Sequence, residues 1–172
     1  MDREGYLVGL ILLGYPLQQT FAHFFIREKS PDFAEMSLHH IAHVALTSTY
    51  LFGNMIPLGI LIMFIHDASD VLISVTKVFH LMNRNNIAYF PLVLCVFTWF
   101  FGRLVCLPMY LMEIWQYGVY AEGREHLQPY IALSLVFLCT LLLLHVYWFI
   151  LLLLMIYMAL MGTPKDLQND VT

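Results

Sequence analysis

The chain of 172 residues is 60% hydrophobic and only 12% charged, whereas a soluble globular domain carries about 25% charged residues. Its net charge of −4 and the lack of any basic run argue against nucleic acid as a partner. Composition and long apolar runs together predict an integral membrane protein with a single domain, residues 1–172.

Five apolar runs predict an all-α, polytopic membrane protein, a bundle of about five transmembrane helices. Each run has at least the roughly 17 residues that a membrane-spanning helix needs. The runs cover about 5–26, 36–52, 58–79, 87–111 and 130–161. Gly102, Arg103 and Pro108 interrupt the fourth run, and the fifth is long enough that it must tilt, project beyond the bilayer or break.

Short polar stretches separate these runs. They lie at 27–35, 53–57, 83–86 and 113–129, and the last of them suits a membrane interface. The helical core covers about 6–160, followed by a polar tail at 162–172. The three cysteines lie in apolar runs without paired spacing, which favours buried reduced thiols over disulfides.

Ionisable side chains are concentrated between residues 39 and 77. His39 and His40 lie four and three residues before His43, so the three imidazoles can share one face of a helix. His66 and Asp70 are also four residues apart and share a face of the next helix. An ionisable side chain within a membrane-spanning helix costs a few kcal/mol or more unless it faces a polar interior. These residues therefore mark a candidate site. The turn at 53–57 is so short that the second and third helices run antiparallel, and it places His40 at about the depth of Asp67 and Asp70.

Three interpretations of this cluster remain open from the residues alone. Histidine oriented by aspartate can act as a general base or an acyl carrier. Imidazole nitrogen and carboxylate oxygen also suit a zinc ion, with His40, Asp67 and Asp70 as the candidate ligands. A buried polar network that holds the helices together is the third interpretation.

Other polar residues in the apolar runs have a structural and a functional interpretation. Arg103 can bind an anion or form an ion pair with Asp67, Asp70 or Glu113. His145 can form a hydrogen bond between helices, and Lys77 can extend to the interface or pair with a carboxylate.

The stretch from Leu38 to Lys77 resembles the core of the TLC domain, and within that family it is most similar to the ceramide synthases. The resemblance rests on the pair His39-His40 and on the later motif His66-Asp67-Ala68-Ser69-Asp70. Further agreement comes from Lys77, from Arg103 with Pro108, and from His145 with Trp148. Two positions depart from the family pattern, His43 where a small or apolar residue is common and Ser74 where an acidic residue is common.

The resemblance implies a sphingosine N-acyltransferase of the endoplasmic reticulum membrane, with acyl-CoA as co-substrate and a sphingoid base as acceptor. It implies that His39 and His40 act as base or acyl carrier and that Asp67 and Asp70 orient them or hold a metal. Lys77, Arg103 and His145 would then contact substrate.

The chain begins near the family's core, without the helices that usually precede it. The alternative function is therefore a non-catalytic, lipid-binding subunit of a larger membrane complex. Its partners would be membrane lipids and other membrane-protein subunits, and its location another organelle membrane such as the mitochondrial inner membrane.

Overall fold

The computed structural model describes residues 3–26, 31–82, 84–120 and 125–161, and all regular secondary structure in these ranges is helical. Helix α4, a π-helical segment and α5 follow one another directly and form one rod, so the described chain contains five helical rods. This confirms the all-α prediction. The helices are α1 (Arg3–Phe25), α2 (Phe33–Phe52), α3 (Ile56–Leu81), α4 (Asn85–Thr98), the π-helical segment (Trp99–Cys106), α5 (Leu107–Tyr120), a 3₁₀ turn (Glu125–Leu127) and α6 (Gln128–Met161).

Three of the rods are long and apolar enough to cross a membrane. Among the described residues these are Ile56–Leu81, Ile87–Gln116 and Glu125–Met158. Helices α1 and α2 mix apolar residues with polar ones, which include Gln18 and Gln19 in α1 and three histidines in α2. Their crossing of the membrane therefore stays a prediction.

The turn between α2 and α3 is as short as predicted. The Met55 amide donates to the Tyr50 carbonyl at 2.8 Å and so satisfies an acceptor at the end of α2. Asn54 has a positive φ of 53°, a conformation that Asn tolerates better than most residues. Pro57 lies in the first turn of α3, where its missing N–H leaves no helical acceptor unpaired.

The fourth rod continues through the predicted interruption. Gly102 and Arg103 lie in the π-helical segment, and α5 then extends to Tyr120. The predicted interfacial segment 113–129 therefore starts as helix. A π-helical turn is wider than an α-helical turn and rotates the residues that follow it. This rotation changes which face of α5 meets the bundle.

Helix α6 is unbroken over 34 residues. At about 1.5 Å per residue its length is roughly 50 Å, well above the thickness of a hydrocarbon core. Of the three outcomes predicted for the fifth run, a break is thus excluded.

The bundle core lies between α2, α3, α5 and α6. Helix α2 packs against α1 and α6 and also contacts α3, while α3 packs mainly against α4. The described core residues are mostly aliphatic: Ala42, Leu46, Tyr50, Met55, Ile62, Leu107, Tyr110, Ile114, Ile131, Leu138 and Leu141. We call this set the apolar core.

Candidate active site

Helix α2 presents three histidines to the interior. His39, His40 and His43 are all buried, because spacings of three and four residues place them on the face that meets α1, α3 and α6. Ring centroids are 5.6 Å apart for His39 and His40, and 5.8 Å apart for His39 and His43. One helix alone therefore supplies three imidazoles to one place.

Helix α3 adds His66 to this group. Its Nδ1 lies 2.9 Å from the Ile62 carbonyl, and since a carbonyl only accepts, the proton of the neutral ring is on Nδ1. Its ring stacks on that of His43 at 5.6 Å between centroids and lies 6.3 Å from that of His39. The second ring nitrogen, Nε2, is left with a free lone pair.

Helix α6 completes the group with His145. Its Nδ1 donates to the Leu141 carbonyl, so it has the same tautomer as His66. The ring centroid is 4.7 Å from that of His66 and 5.9 Å from that of His39. We call His39, His40, His43, His66 and His145 the histidine cluster.

Four ring nitrogens of this cluster are buried without a hydrogen-bond partner among the residues that the structure describes. They are His39 Nδ1, His43 Nε2, His66 Nε2 and His145 Nε2. A buried polar atom left unpaired costs about 1–3 kcal/mol, so four in one place call for an explanation, and a reactive role is one that fits imidazole. A neutral imidazole nitrogen can accept a proton from an amine or attack an acyl carbon.

Arg103 connects this cluster to the aspartates of α3. It is only 2% exposed and forms an ion pair with Asp70, which is 51% exposed. The same Nη2 atom donates to the His66 carbonyl at 2.7 Å, and the guanidinium lies 4.0 Å from the centre of the Trp99 ring. Arg103 thus fixes α3 against the fourth rod at the level of the histidines.

Trp99 and Trp148 form the wall of the cluster. The Trp99 indole N–H donates to the His145 carbonyl at 3.3 Å, and the Trp148 ring lies 5.4 Å from that of His39. The two indoles restrict the rings of His39 and His145 and shield them from lipid.

Asp67 and Asp70 face an open groove between α1 and α3. Asp67 is partly buried and Asp70 exposed. The groove has a volume of about 480 Å³ and is lined by Tyr15, Asp67, Asp70, Val71, Ser74, Val75, Val78 and Phe79. Both carboxylates thus open onto the groove, whereas the histidines are buried, and Arg103 reaches Asp70 from the interior.

The structure thus brings together His39, His40, His145 and Arg103 of the predicted site residues, and it connects Asp70 to them through Arg103. Lys77 lies on an exposed part of α3.

Within the described ranges, no group of three or more His, Cys, Asp or Glu side chains is arranged to hold a metal ion. Metal binding by His40, Asp67 and Asp70 stays a prediction.

The sequence predicts that His23 lines the same polar interior, but it gave none of His23, His43 and His66 a catalytic or substrate-binding role. His66 and His43 carried a signal, because each shares the helical face of an assigned residue. His23 is buried in α1 with its ring 4.9 Å from that of His40. No local spacing could have shown that contact.

The sequence model of the TLC domain family matches residues 1–154. Among similar proteins, "Ceramide synthase 1 LOH3" of Arabidopsis thaliana is 28% identical over 170 residues, which are 96% of this chain and 55% of that protein. "Ceramide synthase 4" of Homo sapiens is 30% identical over 147 residues, 83% of this chain and 36% of that protein. "Ceramide synthase hyl-2" of Caenorhabditis elegans is 28% identical over 166 residues, 91% of this chain and 50% of that protein.

The chain thus spans about half, or less, of the length of these curated relatives. No solved structure matches it significantly. The family match covers most of the chain and includes the whole histidine cluster. This protein belongs to the TLC domain family, and its relatives include ceramide synthases.

Proposed function

We propose that the protein transfers a fatty acyl group from acyl-CoA to the amine of a sphingoid base within the membrane. The observation that supports this proposal is the histidine cluster, in which four buried ring nitrogens have no partner among the described residues. The names of the relatives give the substrate class: proteins called ceramide synthase match most of this chain.

The reaction needs two events that imidazoles can promote. The amine must lose a proton before its nitrogen attacks the thioester carbonyl carbon, and the carbon–sulfur bond must then break. In our proposal, His39 and His40 act at the reacting atoms, either as the base that takes the amine proton or as an acyl carrier. His66 and His145 keep their Nδ1 protons on helix carbonyls, so each presents Nε2 as an acceptor.

The aspartates and the arginine have supporting roles in this proposal. Asp70 and Arg103 pair with each other, and Arg103 also donates to the backbone of His66. This arrangement holds α3 in the register that places His66 beside His43 and His145. Asp67 faces the groove, where its negative charge would favour a cationic amine over the anionic acyl-CoA.

We propose the endoplasmic reticulum membrane as the location, because the resemblance to the ceramide synthases implies it. The alternative function, a lipid-binding subunit without catalysis, remains as the outcome of a negative assay. In that case the purified protein would be firmly associated with other membrane chains.

The decisive experiment is an assay of the purified chain with acyl-CoA and a sphingoid base, with the amide product detected by mass spectrometry. We expect amide that depends on both substrates and is lost in His39→Ala and His40→Ala. His126→Ala is the matched control, because His126 lies in the 3₁₀ turn outside the cluster. Equal amide formation by all four proteins would contradict these roles, and none from the unchanged chain would contradict the proposed function. Repeating the assay after dialysis against a chelator tests the predicted metal.

A further inference from the structure

We propose that the acyl-transfer reaction releases a proton in the histidine cluster and that His23 and Ser37 carry this proton outward. The route leads to the place where α1 ends and α2 begins. This inference rests on the proposed function and adds a route that the family resemblance does not assign. His23 is a positioning and relay residue in this proposal and does not touch the reacting atoms.

The chemistry itself requires such a route. A sphingoid base has an ammonium group at neutral pH, since alkyl ammonium groups titrate near 10. Ammonium and thioester give amide, free thiol and one proton: the nitrogen–carbon bond forms, the carbon–sulfur bond breaks, one amine proton ends on the thiol sulfur and another must leave. Because the histidine cluster is buried, that second proton needs a path to water at every turnover.

His23 lies at the right place for this path. It is in the last turn of α1, and only 4% of its surface is exposed. Its ring stacks on that of Phe33 at 4.6 Å between centroids and lies 4.9 Å from that of His40. The residue therefore joins the histidine cluster to the point where α1 ends and α2 begins.

The hydrogen bonds around His23 set the direction of transfer. The Ser37 hydroxyl donates to the Phe33 carbonyl at 2.6 Å, so its oxygen is the acceptor in the 3.0 Å contact with His23 Nε2. The proton of the neutral His23 ring is then on Nε2. A proton taken up at Nδ1 is matched by transfer of the Nε2 proton to the Ser37 oxygen. For this the Ser37 hydroxyl, at its partly exposed position, turns from the Phe33 carbonyl and gives its own proton to water.

Ring contacts continue inward from His23 without a gap. Successive centroid distances are 4.9 Å from His23 to His40, 5.6 Å from His40 to His39, 6.3 Å from His39 to His66 and 4.7 Å from His66 to His145. His39 Nδ1, His66 Nε2 and His145 Nε2 have no hydrogen-bond partner among the described residues, so in this proposal a bridging water carries the proton between neighbouring rings. At the outer end, Ser37 is partly exposed.

The test compares His23→Phe with the unchanged chain in the acyl-transfer assay at low buffer concentration. Phenylalanine keeps a flat ring against Phe33 but removes both nitrogens. We expect turnover to fall by about tenfold or more with KM unchanged, because proton transfer limits the variant. A small diffusible base such as imidazole should restore the rate, since it can replace the missing proton carrier.

Ser37→Ala should show the same defect to a smaller extent, and His126→Phe should show none. An unchanged rate in His23→Phe would overturn the relay and leave the proposed function intact. A reduced rate that imidazole does not restore would also overturn it, because the loss would then be structural. No amide from the unchanged chain would overturn both.

Discussion

The histidine cluster and the apolar core are equally buried and lie one helical turn apart. On α3 the core residue Ile62 is followed four positions later by His66, and on α6 Leu141 is followed by His145. Most core residues are aliphatic and need no hydrogen-bond partner, whereas the cluster concentrates four ring nitrogens that have none among the described residues. Under the proposed function, stability and chemistry thus fall to neighbouring layers of the same helices.

This comparison predicts that the two layers respond to substitution in opposite ways. In the core, loss of volume should reduce stability. In the cluster, replacement of a polar ring by an apolar side chain should reduce activity and leave stability unchanged or higher. The predictions below test this difference from the largest expected effect to the smallest.

The largest effect should come from His39→Leu. We expect amide formation to fall by about 10²–10⁴-fold, because a base at the reacting atoms is lost. The thermal midpoint in detergent should stay constant or rise, since an unpartnered buried nitrogen disappears. A large drop in the midpoint would show instead that the cluster is a structural network.

Leu138→Ala should destabilise the apolar core. Leu138 is fully buried on α6, and truncation of a buried leucine costs about 2–5 kcal/mol. Thermal unfolding in detergent measures the change, and Leu143→Ala is the matched control because Leu143 is an exposed leucine of the same helix. Similar midpoints for the two variants would contradict the assignment of the core.

Asp70→Asn should have an intermediate effect on stability. The substitution leaves the buried Arg103 without its carboxylate, at a cost of about 1–3 kcal/mol, reduced because Asp70 is half exposed. The double variant Asp70→Asn with Arg103→Met should recover part of this loss, since no buried charge is left unpaired. If the double variant unfolds earlier than the single one, the ion pair is not the main role of Arg103.

The last comparison is between alanine at two helical glycines, and it includes the smallest expected effect, that of Gly14→Ala. A Cβ at Gly118 would lie 2.8 Å from Ile131 Cγ2 in the apolar core, whereas a Cβ at Gly14 would meet nothing within 4 Å. Gly14→Ala should raise stability by up to about 1 kcal/mol through helix propensity. Gly118→Ala should lower it by about 1–3 kcal/mol through overpacking. The difference between the two midpoints is the measurement, and a higher midpoint for Gly118→Ala would show that this end of the core is loosely packed.

The sequence by itself determined the helices and the polar face of the second one. Apolar runs of membrane-spanning length predicted five rods, and intervals of three and four residues predicted that His39, His40 and His43 share one face. These features depend on residues close together in the chain. Local periodicity was therefore sufficient to find them.

Only the tertiary structure decided which distant residues meet. The contact of His145 with His66 and the pairing of Arg103 with Asp70 join residues on different helices. They depend on the rotation of each helix about its axis, and in the fourth rod that rotation includes a π-helical segment that no sequence pattern specified. The sequence placed the histidines and aspartates at one depth. Packing then turned the rings inward and the carboxylates toward the groove. Spacing alone does not decide this, because contacts with the neighbouring helices determine which face of a helix is buried.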